Sequence, residues 1–168
     1  APGWVEFQCD LDAATNESVR FMLFSFQPDG APGDFEPDEH QRELRKLPSG
    51  LFPDAAWFSQ GASRVVIDDP RTTTQATLKL HLVSQSRFRP GEMYLWNPVT
   101  RTNRRISQSG LDQLGPVFEV TLQPDEQSFF LFKFIRQQEG QFTEFEPDYA
   151  NRWWVAGDGV EIWMHSGT

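Results

Sequence analysis

Alternation of apolar and polar positions is the clearest pattern along this chain. Thr77 to Val83 (TLKLHLV) puts Leu78, Leu80 and Leu82 on one side and Lys79 and His81 on the other, as a half-buried strand does. Trp4 to Leu11 (WVEFQCDL) alternates in the same way, and Val19 to Phe26 (VRFMLFSF) is apolar enough to lie centrally in a sheet. Glu92 to Trp96 follows the Pro90-Gly91 turn and stops at Asn97-Pro98, while Val117 to Leu122 and Ser128 to Ile135 read as a strand pair. Arg101 to Gln113 is a polar excursion between them. Glu39 to Leu47 reads as a short helix ended by Pro48-Ser49-Gly50.

The pattern also repeats. Phe35-Glu36-Pro37-Asp38 recurs as Phe145-Glu146-Pro147-Asp148, and Val5 to Leu11 with Val19 to Phe26 matches Val117 to Leu122 with Ser128 to Ile135. Trp57-Phe58, Gly61 and the closing strand Arg64 to Ile67 parallel Trp153-Trp154, Gly157 and Glu161-Ile162-Trp163. A repeat constrains architecture more than any single motif. It predicts two related copies in tandem: residues 1–70, which lack counterparts of LKLHLV and MYLW, and residues 77–168, joined by a linker at 71–76 within the polar run Asp68 to Gln75. Frequent short strands separated by turn signals make the fold class all-β, as antiparallel β-sandwich (immunoglobulin-like) modules.

Composition narrows the function. The net charge is −9 among 168 residues, which argues against nucleic acid and anionic membrane surfaces as partners. No apolar run reaches membrane-spanning length, and nothing at Ala1 resembles a signal peptide; Ala1-Pro2-Gly3 reads as a cut within a longer polypeptide. Cys9 is the single cysteine, so no intrachain disulfide forms, and its strand-like setting predicts a small buried hydrophobe.

Catalytic patterns are missing. His40, His81 and His165 have no metal-ligand spacing to Cys9 or to one another, and there is no GxSxG, HExxH or P-loop sequence. Glu36 with Asp38, and Glu146 with Asp148, flank a proline and occur twice, which suits a turn better than the acid and base of a glycosidase. The expectation is therefore a non-enzyme without cofactor or metal.

Aromatic placement is more informative. On a strand, Tyr94 and Trp96 share one face while Met93 and Leu95 share the other. With Leu95 in the core, two large rings face outward, a costly arrangement that marks a binding surface. The bland alternative packs both rings under a loop such as 101–113. Trp153 and Trp154 point to opposite faces if extended, so only one can join a platform and the other is expected to be buried. Asn151 and Arg152 suit sugar hydroxyls or the fixing of the Phe145–Asp148 loop, and both readings stay open. Lys133 projects from a phenylalanine-rich strand as a solvated end or a ligand contact.

The order LKLHL, MYLW, VFEVTL, SFFLFKF, an acidic loop, NRWW and VEIWMHSG resembles carbohydrate-binding module family 41, the α-glucan-binding modules of pullulanases. The resemblance covers Thr77 to Thr168 and reaches the first half only through the repeat. It implies that Tyr94 and Trp96 occupy the positions of the family's sugar-stacking aromatics, with tyrosine replacing one tryptophan. It puts Asp148 near the family's ligand-binding aspartate and Trp163 at its core closing-strand tryptophan. The family's lysine before that aspartate is missing, with Phe142 or Glu144 there instead. The expected ligand-binding set is thus Tyr94, Trp96, Asp148, Asn151, Arg152, Trp153 and Trp154. The expected partner is an α-glucan such as starch, glycogen or a maltooligosaccharide. A covalently linked catalytic domain and an extracellular or periplasmic setting go with it. An immunoglobulin-like structural or protein-interaction region of a larger enzyme is the competing reading.

Overall fold

The computed structural model describes residues 5–12, 15–36, 41–83, 90–137, 143–146 and 151–165. It is an all-β, sandwich-type protein. Strands β7 (Thr77–Val83), β8 (Glu92–Asn97), β9 (Thr102–Ser107), β10 (Gly110–Leu111), β11 (Pro116–Thr121), β12 (Phe129–Gln137), β13 (Thr143–Phe145), β14 (Arg152–Val155) and β15 (Glu161–His165) make up its second half. They form a four-stranded sheet, ordered β10-β11-β7-β15, and a five-stranded sheet in which β12 pairs with β8, β13 and β14, and β8 with β9.

Period-two alternation closes these two sheets on one another. Leu78, Leu80, Leu82, Phe118 and Val120 of the first sheet meet Met93, Leu95, Phe130, Phe132, Phe134 and Trp154 of the second. Ile162 and Met164 of β15 pack against the same core. Burying a side chain of this size stabilises the fold by about 1.5–3 kcal/mol. β15 pairs with β7 in parallel (Ile162 opposite Leu80), while every other ladder is antiparallel.

The first half is built differently. β1 (Ser18–Phe21) pairs with β4 (Arg42–Arg45), β2 (Phe24–Phe26) with β3 (Pro32–Phe35), and β5 (Trp57–Phe58) with β6 (Val65–Val66), each as a separate two-stranded ladder. The register of β2 and β3 shifts between Phe24 and Phe26. Gly33 sits at this irregularity because a Cβ there would lie 2.8 Å from the Ser25 carbonyl oxygen.

Several expectations are corrected here. Residues 5–12 form no regular strand, and Cys9 among them is exposed rather than buried. The expected strand from Val19 to Phe26 is broken at Met22-Leu23 into β1 and β2. The expected helix is not formed: its Arg42–Arg45 segment is strand β4, because Arg42 and Leu44 turn inward by alternation and Arg42 meets the half-buried Glu36 carboxylate; Glu39 and His40 lie outside the described residues. The polar excursion 101–113 holds β9 and β10, with β9 adding an edge to β8. The tryptophan part of the repeat also fails. β5 pairs with β6, whereas β14 and β15 belong to different sheets, so Trp57-Phe58 and Trp153-Trp154 are not equivalent.

The two halves share a second apolar cluster. On the outer face of the five-stranded sheet, Phe129, Leu131, Trp153 and Val155 pack with Ala62, and Trp57, Phe58, Val66, Trp96 and Val99 close around them. The continuous apolar run of β12 follows from this, since that end of the strand is buried on both faces. Polar ties fasten the seam. Arg64 holds Asp158 bidentately at 2.5 Å and donates to the Trp153 carbonyl at 3.1 Å. The Asn151 N–H donates to the Gly61 carbonyl at 2.9 Å. Gly61 has φ +77°, which favours glycine, and a Cβ there would come within 2.9 Å of Asn151 Nδ2 and displace that amide.

Candidate functional site

The outer face of the five-stranded sheet is set by β8 and β12. Met93 and Leu95 are fully buried in the main core, which turns Tyr94 and Trp96 to the other side. Cross-strand register then builds rows. Trp96 lies opposite Leu131 and Asn103, Tyr94 opposite Lys133 and Arg105, and Ile135 opposite Phe145 and Glu92. The Tyr94 and Trp96 rings are 5.4 Å apart at 38°, and Phe145 meets Tyr94 edge-on at 6.3 Å and 90°. Phe145 is half exposed, and across the sheet the Arg105 guanidinium reaches Glu92 at 3.5 Å.

The face is open at one end only. The β5–β6 hairpin covers the Trp96 end, so the Trp96 ring is half-buried against the Trp153 cluster rather than presented freely. The loop at 101–113 does not cover these rings, because its main segment is β9 at the sheet edge. Below Trp96, Asn97 is buried and turns the chain: its Oδ1 accepts from the Val99 N–H at 2.9 Å, and its amide donates to the Asp125 carbonyl. Asp125 accepts from the Thr102 and Thr100 hydroxyls, which hold its carboxyl below the usual range against partial burial.

The remaining predicted residues do not join this strip. Trp153 and Trp154 are both buried, so the expectation that one of them is exposed is corrected. Trp154 stacks on Phe130 at 4.9 Å in the main core, and Trp153 lies under the β5–β6 hairpin. The hairpin is the tertiary element that local alternation could not reveal. Both indole N–H groups are buried without a hydrogen-bond acceptor among the described residues, an unusual cost for a core. Arg152 lies opposite Phe132 on β12, a position on the core side, and its guanidinium sits 5.7 Å from the Phe134 ring. It holds the buried Glu146 carboxylate at 2.6 and 3.1 Å and donates to the His165 carbonyl at 2.8 Å. Of its two open readings, the geometry selects the fixing of the Phe145-Glu146 segment. Asn151 belongs to the seam with Gly61, and Asp148 lies outside the described residues.

Trp163 is a further correction. It is 57% exposed on β15 and stacks on the His81 ring at 4.7 Å and 12°, on the outer face of the four-stranded sheet. Alternation explains it: Ile162 and Met164 take the core positions.

Sequence reasoning missed Phe145 as a neighbour of Tyr94. Its signal was the register that places the start of the Phe-Glu-Pro-Asp segment beside β12. A separate cleft of about 300 Å3 lies at the seam, lined by Val65, Val66, Asp68, Thr73, Val155 and Asp158. It holds no aromatic ring. Among the described residues no group of histidine, cysteine, aspartate and glutamate side chains is arranged to hold a metal ion. No helix of the described residues is long and apolar enough to cross a membrane. Comparison with known proteins finds no family model that matches the chain and no similar curated protein.

Proposed function

We propose that this protein is a non-catalytic saccharide-binding module whose site is the outer five-stranded face at Tyr94 and Phe145, with the half-covered Trp96 ring at its margin. The observation that carries the reading is the pair of neighbouring rings on alternate positions of β8, backed by the fully buried Met93 and Leu95. A sugar ring offers a flat face of C–H groups, and aromatic faces stacked on it contribute modest free energy per ring. Hydroxyl groups exchange water for protein partners with little net gain. Single-site affinity is accordingly weak, with a Kd on the order of mM to μM. The resemblance of 77–168 to α-glucan-binding modules favours a starch- or glycogen-type ligand, with the module carried by a glucan-active enzyme outside the cell.

The half-covered Trp96 supports a second reading, an immunoglobulin-like structural or interaction region whose aromatics serve packing. Affinity electrophoresis and calorimetry against maltoheptaose, amylopectin, β-glucan and xylan separate the two. Tyr94→Ala is the probe of choice, because the Trp96 ring also supports the second cluster and its removal confounds binding with stability. The saccharide reading expects α-glucan binding that falls about tenfold in Tyr94→Ala, a loss of roughly 1.4 kcal/mol, at unchanged melting temperature. No binding to any of the four polymers leaves the interaction-module reading in its place.

A further inference from the structure

We propose that His81 is a proton-dependent clasp that fastens edge strand β15 and the turn after β10 to the outer face of the four-stranded sheet. It stands on the opposite sheet from the aromatic strip and does not rest on the saccharide reading. Nδ1 of His81 lies 2.5 Å from Asp112 Oδ2, and Nε2 lies 2.8 Å from Glu161 Oε1. A neutral imidazole carries one N–H and can donate to one carboxylate only; both contacts require the imidazolium. The ring is 7% exposed, and its face is covered by the Trp163 indole. An aromatic face stacked on a cation adds to the same preference.

The charged surroundings come from every strand that packs on the ring. Glu161 of β15 bonds it and also holds Lys79 at 3.3 Å, and Lys79 is two positions along β7 on the same face. Asp112 is itself fixed by the Leu114 and Gly115 N–H groups at 2.7 and 2.9 Å. From β11, uncharged Val117 stands opposite His81, and Glu119 stands one row away opposite Lys79. His165 lies further along β15, opposite Val83.

The hydrogen bond His81 donates to Asp112 is the largest influence on its titration. With Glu161 it outweighs burial and the repulsion of Lys79, and the ring's pKa is raised above the ordinary 6.5. A raised histidine contributes its stabilisation in full below that ordinary value and loses it as pH rises through the folded value. Asp112 and Glu161 are both lowered, chiefly by their bonds to His81, so their contribution is lost as pH falls through the carboxylate range. The clasp is closed between those two limits. Above the upper one, a single remaining proton serves one carboxylate, and either β15 or the turn at Asp112 loses its tie.

The test is a histidine-ring NMR titration of the whole chain from about pH 5 to about pH 9, with hydrogen exchange of the β15 amides and the Trp163 indole signal followed alongside. His81 is expected to titrate above 6.5, with the Trp163 signal moving at the same midpoint. Protection of the β15 amides relative to the intrinsic, base-catalysed exchange rate should fall about tenfold for each pH unit by which the midpoint is raised. Asp112→Asn should lower the midpoint, and His81→Gln should remove the pH dependence of both reporters. Titration of His81 at or below the ordinary value overturns the proposal. So does a Trp163 midpoint that persists in His81→Gln. Should that variant fail to fold, the wild-type and Asp112→Asn midpoints decide.

Discussion

The two Phe-Glu-Pro-Asp segments invite direct comparison, because the same bracket is built into two unlike surroundings. Glu36 pairs with Arg42 and Glu146 with Arg152, each six residues on, and in both cases the guanidinium also lies over a phenylalanine ring. The backbone agrees as well. The Glu36 N–H donates to the Leu23 carbonyl at 3.0 Å, and the Glu146 N–H donates to that of Phe134 at 2.9 Å. Phe35 stands opposite Phe24 as Phe145 stands opposite Ile135, and Arg42 opposite Phe21 as Arg152 opposite Phe132.

The surroundings then diverge. Around Glu146 the partner strand is the unbroken, nine-residue β12, buried on both faces at its Phe129–Leu131 end; around Glu36 it is split into β1 and β2. Glu36 accepts from the Leu23 N–H at 3.0 Å, from Arg42 at 2.6 Å and from the Gly61 N–H at 3.3 Å. Arg42 is fully buried and also reaches the Ser59 carbonyl at 2.9 Å. A short polar bracket is thus specified locally, while strand continuity depends on what covers the strand.

The sharpest way to break this comparison is to empty the core that only the second bracket adjoins. Trp154→Ala should cost about 3–5 kcal/mol, read by chemical denaturation; a loss under about 1 kcal/mol would show that Trp154 does not hold the sheets together.

Next come the brackets themselves. Glu36→Gln strands a fully buried guanidinium and should cost about 3 kcal/mol. Glu146→Gln should cost less, since the Arg152 side chain keeps 12% exposure. Equal losses would mean that local geometry alone sets the strength of the bracket. The same variant sharpens the pH response. Burial pushes the Glu36 carboxyl up, but its bonds to Arg42, Leu23 and Gly61 outweigh this and lower it from the ordinary 4.5. Its stabilisation is therefore present above that value and lost as pH falls through the lower folded one. Acid unfolding of Glu36→Gln should lack this contribution, visible as a flatter fall in melting temperature below about pH 4.5.

The smallest effect belongs to Trp163→Ala. Its exposed indole should contribute less than about 1 kcal/mol, and a melting temperature depressed as far as in Trp154→Ala would return Trp163 to the core.

The core strands β7, β8, β11 and β12 were legible because each side chain's burial follows the period of the pleat, whereas the polar edge strands β9 and β10 were not. Leu78, Leu80 and Leu82 could serve only one face, and the boundaries of β7 match its alternation. The polar bracket was legible as a repeated segment, though its arginine partners were not, since a six-residue spacing carries no meaning until the chain turns back. What covers each face was decided by tertiary structure alone. Alternation put Trp96 on the face opposite the main core and Trp153 and Trp154 on opposite faces from each other, but not which face another part of the chain would reach, and Trp163 was expected in the core it does not enter. The β5–β6 hairpin lies far away in sequence and buries Trp153 and half of Trp96, while Trp163 stacks on His81 and stays more than half exposed. A strand's own pattern states which side is apolar; the arrival of a distant hairpin on that side depends on packing that no local window contains.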